Sequence, residues 1–194
     1  MEIKTIAIVG AASLGCRIAY ESALAEYRVI LEDVSPSALE QGIAWIAQAL
    51  ANEVAAGRIY SADRDAALAN LTTAASAEDA AREADLIMET VADEMEMKIE
   101  LFTIFDKFAK PGAIFASTTT SLSISDMAAV TFCPERCIGM RLLAGAQNAN
   151  RLGLVKGSET SEETVATCCE VGRRMGREVY ILRDEQVTSA SAGD

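Results

Sequence analysis

The first thirty-three residues constrain the fold more than any other stretch of the chain. Ile3-Lys4-Thr5-Ile6-Ala7-Ile8-Val9 has strand length and is apolar from Ile6 onward, and Gly10-Ala11-Ala12-Ser13-Leu14-Gly15 follows it directly. A helical pattern over 14–25, a second strand-length stretch over 28–32 with an apolar centre at Val29-Ile30-Leu31, and a carboxylate at Asp33 complete the segment. Strand, glycine turn, helix, strand and acid in that order predict a βαβ unit of the dinucleotide-binding type. In such a unit the first glycine makes the tight turn, the second lets the pyrophosphate approach, and the third packs helix against strand. Gly10 and Gly15 fill the first and third roles, and Ala12 puts a methyl group at the second. Ser13 and Leu14 open the helix, whose first N–H groups and dipole favour a phosphate. Asp33 lies at the end of the second strand, where a carboxylate accepts ribose hydroxyls and repels a 2'-phosphate. NAD is therefore expected over NADP. The competing expectation is a relic fold that holds no dinucleotide, with Asp33 a mere cap.

Farther along, apolar runs alternate with helical periodicity, as in a parallel sheet covered on both faces by helices. Strands are expected at 3–9, 28–32, 71–74, 85–90, 113–117, 137–142, 152–156 and 178–183. A helix is expected from Ser35-Pro36 to Gly57, with Leu39, Ile43, Ile46, Leu50 and Val54 on one face. Others are expected at 63–70, 77–83, 95–109 and 123–130, and a last at 161–175 with a capping box from Thr160 to Glu163 and a stop at Gly176. The fold class expected is α/β, a doubly wound, mostly parallel Rossmann-type sheet in a single domain over 1–184. Residues 185–194 are expected to form a flexible tail.

Composition narrows the function. A formal net charge of −12 disfavours nucleic acid and anionic membrane surfaces as partners. No apolar run approaches the length of a membrane span, and with no signal peptide expected the chain reads as cytoplasmic. Apolar residues make up 51% of the chain and aromatic ones 5%, so the core is expected to be aliphatic. The five cysteines are an odd number, which predicts free thiols. Cys133 and Cys137 have no second pair at ligand spacing and the chain has no histidine, so no metal is expected. The missing histidine also removes the side chain best suited to proton transfer near neutral pH.

From Asp85-Leu86-Ile87-Met88-Glu89-Thr90-Val91 and Lys98-Ile99-Glu100-Leu101-Phe102 onward, the chain resembles the 3-hydroxyacyl-CoA dehydrogenases. The likeness continues through 111–117, Ser121-Leu122-Ser123-Ile124, 134–140, Lys156-Gly157 and 160–166, and spans about residues 3 to 184. It implies that family's NAD-binding domain. The family oxidises the 3-hydroxyl of an acyl-CoA with NAD: a histidine takes the proton, a glutamate orients it, and a serine and an asparagine hold the substrate oxygen. The histidine position is Arg141 here and the glutamate position Gly153, while Thr120 and Thr118 stand at the serine and a neighbouring asparagine. The Asn-Pro after the histidine is replaced around Ala144-Gly145. The family's C-terminal helical domain has no counterpart after Arg183-Asp184, so a second copy or another protein is expected to cover the face it would occupy.

Arginine stays protonated at any working pH and cannot serve as the base. With its orienting glutamate gone as well, the family reaction is expected to be lost. On the cofactor side, Val91-Ala92 is expected to form the turn under the dinucleotide, with Asp93 and Lys98 near its nicotinamide end. Lys98 has an alternative as a surface charge paired with Glu94. Arg141 has two readings: a surface arginine at a strand end, which is slightly favoured, or a clamp for a carboxylate or phosphate. The leading expectation is an NAD(H)-binding sensor or binding module, catalytically degenerate. Its rivals are an oxidoreductase on another hydroxy or oxo acid or acyl-CoA, with Thr120 or Ser121 holding an oxygen, Arg141 an anionic group and water or Asp93 handling the proton, and a purely structural or protein-binding role.

Overall fold

The computed structural model describes residues 2–142 and 150–184. Eight strands form one sheet: β1 (Thr5–Val9), β2 (Arg28–Glu32), β3 (Leu71–Thr73), β4 (Leu86–Glu89), β5 (Ile114–Ser117), β6 (Cys137–Leu142), β7 (Arg151–Lys156) and β8 (Glu178–Arg183). Their spatial order is β3-β2-β1-β4-β5-β6-β7-β8. All neighbours run parallel except β6 and β7. Each expected strand is present, and so is each expected helix: α1 (Ser13–Leu24), α2 (Pro36–Ala55), α3 (Ser61–Ala69), α4 (Ala77–Glu83), α5 (Met95–Phe108), α6 (Ile124–Ala128) and α7 (Glu162–Arg174). The expectation of a flexible tail over 185–194 lies outside the described residues.

The double winding follows from strand alternation, since successive side chains point to opposite faces and both faces are buried. Ile6 and Ile8 of β1 join one core with Cys16, Ile18, Ile46 and Val165, while Ala7 and Val9 join the other with Ala80, Phe102 and Phe105. The first core is aliphatic as expected, but the second departs from that expectation. Phe102, Phe105 and Phe115 meet there with ring centroids 5.9–6.2 Å apart. Few aromatics in the whole chain does not mean few in one place.

Ser35 caps α2 from its side chain, with Pro36 in the first turn, and Gly57 ends the segment at φ +69°. The cap of α7 is one residue later than expected. Ser161 accepts the Thr164 N–H, whereas the Thr160 hydroxyl donates to the Cys137 carbonyl at 2.7 Å. With two hydroxyls in succession, the buried strand carbonyl takes the first and leaves the cap to the second.

Candidate functional site

The carboxyl ends of β1, β2, β4, β5 and β6 share one edge of the sheet, where open α/β sheets take their ligands. Gly10 turns there at φ +110°, in a region that favours glycine. Its N–H donates to the Glu32 carbonyl at 2.8 Å, and the Thr90 hydroxyl donates to the Gly10 carbonyl at 2.9 Å. A Cβ on Gly15 would lie 1.9 Å from that same carbonyl oxygen, so the third glycine is required for α1 to start against the turn. Ala12 is the exposed N-cap of α1 and Ser13 is exposed beside it, with Leu14 half-buried. Helix geometry leaves the N–H groups of Ser13, Leu14 and Gly15 without intrahelical acceptors.

Asp33 is a structural residue as well as a site candidate. Its carboxylate accepts the Ala11 N–H and the Ser35 N–H, each at 2.8 Å. It thereby ties the glycine turn to the start of α2. Each carboxylate oxygen retains a further lone pair for a ligand hydroxyl. Gly10, Asp33, Val91, Leu101 and Ile104 line a cavity of about 520 Å³, within the size range of small-molecule sites. A bare turn, free helix N–H groups, an acid and a cavity with an apolar wall fit the adenosine half of a dinucleotide.

Glu32, absent from the sequence expectations, lines the same cavity and is 3% exposed. Burial, aided by the negative charges of Asp33 and Glu78, pushes its carboxyl up to about 7.

Across the sheet edge, Val91, Ala92 and Asp93 form the turn after β4, and the structure joins them to the loop after β5. Asp93 Oδ2 accepts from the Thr120 N–H at 3.1 Å and from the Thr120 and Ser121 hydroxyls at 3.3 Å. The Thr118 N–H donates to the Glu89 carbonyl. Burial alone would raise the Asp93 carboxyl, but hydrogen bonds from Thr119 and Thr120 and the Lys98 ammonium hold it below the usual carboxylate range. It is therefore a poor proton acceptor near neutral pH, which weakens the role the oxidoreductase alternative assigned to it.

Lys98 is not a surface charge paired with Glu94. It is fully buried, and its Nζ donates to both carboxylate oxygens of Glu89 at 2.8 Å and to the Val91 carbonyl at 3.3 Å. Asp93 Oδ1 lies 3.4 Å away. The Ser117 hydroxyl donates to the same Glu89 carboxylate. Glu89 is thus a hub that sequence reasoning missed. The available signal was a glutamate ending an apolar strand, with a lysine one helix turn into α5.

Arg141 is not a surface residue either. It is 8% exposed, with β7 paired along one side of it and the loop after β5 meeting it at Thr119. Its Nε donates to the Thr119 carbonyl, and its buried Nη2 has no hydrogen-bond partner among the described residues. Burial depresses the guanidinium, with the charges of Asp93 and Asp184 acting in the opposite direction. Arg141 pairs in register with Gly153 across β6 and β7. The replaced Asn-Pro at Ala144-Gly145 lies outside the described residues. All five cysteines are buried free thiols. Among the described residues, no group of three or more Cys, Asp or Glu is arranged to hold a metal, and no helix is long and apolar enough to cross a membrane.

Comparison with known proteins matches residues 5–185 to the family model described as 3-hydroxyacyl-CoA dehydrogenase, NAD binding domain. A probable 3-hydroxybutyryl-CoA dehydrogenase of Bacillus subtilis is 32% identical over 184 residues, covering 95% of this chain and 64% of that protein. The 3-hydroxybutyryl-CoA dehydrogenase of Bradyrhizobium diazoefficiens is 33% identical, covering 94% of this chain and 62% of its own length. The chain therefore spans less than two thirds of these relatives. Among solved structures, 3-hydroxybutyryl-CoA dehydrogenase from Escherichia coli superposes with a TM-score of 0.90 at 27% identity, covering 95% of this chain and 39% of that one. The (S)-3-hydroxybutyryl-CoA dehydrogenase from Ralstonia eutropha gives 0.87 at 28%, covering 94% and 64%.

Proposed function

The chain belongs to the 3-hydroxyacyl-CoA dehydrogenase NAD-binding domain family, and from that premise we propose that it binds NAD(H) without performing the family's oxidation. Gly10 and the first turn of α1 hold the pyrophosphate, and Asp33 takes the adenine ribose, favouring NAD over NADP. Lys98, through Glu89 and Asp93, fixes the turn at Val91-Ala92 over which the dinucleotide lies. When bound, the nicotinamide supplies a hydride acceptor or donor.

A proton must leave or join the substrate oxygen as the hydride moves, and the residues placed for that step are the wrong ones. The single observation that carries this reading is the register of Arg141 with Gly153. The resemblance assigns the catalytic histidine and its glutamate to these two positions, and they stand side by side as such a pair requires. A permanently charged guanidinium facing a bare backbone cannot accept a proton. The chain acts in this reading as a sensor or binding module, a pseudoenzyme.

Calorimetric titration of the purified chain with NAD, NADH and NADPH tests the binding half. Binding of NADH with weaker binding of NADPH is expected, and no heat with any of them at millimolar concentration overturns it. Turnover of acetoacetyl-CoA with NADH tests the other half, and a rate in the ordinary enzyme range overturns the loss of catalysis.

A further inference from the structure

Arg141 carries a buried positive charge that, among the described residues, lacks a carboxylate in contact. Its Nε is held by the Thr119 carbonyl, its Nη2 is buried and unbonded, and among the described residues it forms no ion pair. The two carboxylates that act on it through space are both committed elsewhere. Asp93 accepts from Thr120 and Ser121 and faces Lys98. Asp184 accepts from the Ser123 hydroxyl and from the N–H groups of Ile124 and Ser125, at 2.9–3.0 Å. The cross-strand neighbour that would meet Arg141 on its own face of the sheet is Gly153, which offers no side chain. A Cβ there would sit 3.9 Å from the Arg141 Cβ and 3.3 Å from the Leu182 Cδ1, so Leu182 packs over that position.

Buried guanidinium donors left unpaired are costly, and the groups that satisfy them best are anionic oxygens in a planar pair. We infer that Arg141 is the receptor for the carboxylate of a small monocarboxylic acid, a group that Gly153, having no side chain, does not itself supply from the neighbouring strand. This rests on the reading of the chain as an NAD(H)-binding module that has lost its base, and it names what the altered position now holds. The nearby negative charges of Asp93 and Asp184 select for a single charge, so a phosphate dianion is the poorer ligand. The free acid replaces the acyl thioester as ligand class, because a thioester offers no charge to a guanidinium.

The probe is acetoacetate, titrated calorimetrically into the full chain saturated with NADH, with acetoacetamide and sulfate as parallel arms. Acetoacetate is expected to bind at least ten-fold more tightly than its uncharged amide and more tightly than sulfate. Arg141→Gln is expected to weaken acetoacetate at least ten-fold, and Arg141→Lys less. Equal binding of acid and amide overturns the inference, as does undiminished binding by a folded Arg141→Gln chain. Sulfate binding as tight as acetoacetate reveals a general anion hole and overturns the carboxylate assignment. The amide and sulfate arms need no variant, so the inference stays testable if Arg141→Gln fails to fold. The NADH titration on the unmodified chain separates failure of this inference from failure of the cofactor reading.

Discussion

Arg141 and Gly153 face each other in register across the antiparallel pair β6 and β7, so the residue directly opposite Arg141 carries no side chain. Cross-strand partners share a face of the sheet, so a carboxylate grafted at 153 comes up beside the guanidinium. Gly153→Glu is expected to place its own carboxylate in the Arg141 receptor. A Cβ at 153 meets the Leu182 Cδ1 methyl at 3.3 Å, a contact that needs a shift of a few tenths of an ångström. Acetoacetate binding by this variant should fall at least ten-fold by calorimetry. Binding equal to that of the unmodified chain would show that 153 and the receptor are separate places.

The elements were legible because burial on both faces writes itself into the sequence. Ile6 and Ile8 point one way and Ala7 and Val9 the other, so β1 is apolar from Ile6 to Val9 and reads as buried on both faces. Ser35-Pro36 and Gly57 mark their helix by local chemistry that no distant contact contests. The charged residues of the site were legible only in part. Lys98 follows Glu94 by four positions, the helix-surface pairing distance, and that local rule hid its true partner on β4. Arg141 near the end of β6 carries no mark in the sequence of the strands that bury it. Periodicity reports which face of an element is apolar, but not which charges the tertiary fold traps between elements.

Trapped charge makes the Glu89–Lys98 pair a stability determinant. Both side chains have no exposed surface, and they are joined at 2.8 Å. Removing one partner of such a pair leaves the other charged and buried, at a cost of about 3–5 kcal/mol. Lys98→Met is expected to lose stability in that range in urea denaturation. Lys98→Met with Glu89→Gln should lose much less than the sum of the two single changes. Additive losses would show that the two groups do not act as a pair.

Glu32 predicts a pH dependence with a definite sign. Its carboxyl titrates at about 7 in the folded chain, against an ordinary value of 4.5, chiefly because burial disfavours its charge and secondarily because of Asp33 and Glu78. As pH rises from 4.5 to 7 the unfolded chain gives up this proton while the folded chain keeps it. This group therefore favours unfolding progressively over that window, with the full penalty above about 7. Glu32→Gln removes the penalty and is expected to gain about 2–3 kcal/mol at alkaline pH, fading toward zero at acid pH. Asp85, Asp93 and Asp184, all held low, pull the other way at low pH but cancel between variant and unmodified chain. Denaturation at the two extremes checks it, and a gain that is equal at both would refute the assignment to titration of Glu32.

The glycine turn predicts opposite outcomes at two neighbouring positions. At Gly15 an added Cβ would stand 1.9 Å from the Gly10 carbonyl oxygen and 2.7 Å from the Thr90 hydroxyl, and the Gly10 backbone cannot yield as the end of a flexible side chain would. Gly15→Ala is expected to lose at least about 1–3 kcal/mol and the NADH site with it. Ala12 is exposed at the N-cap of α1 with φ −71°, and glycine is a better cap than alanine. Ala12→Gly should therefore keep or slightly raise stability while removing the methyl from the side the pyrophosphate approaches. Several-fold tighter NADH binding by fluorescence titration is the expected result. Unchanged affinity would mean that the Ala12 methyl already stands clear of the phosphates, and that any weakness of the site lies elsewhere, with the carboxylates of Glu32 and Glu78 in its cavity the next groups to remove.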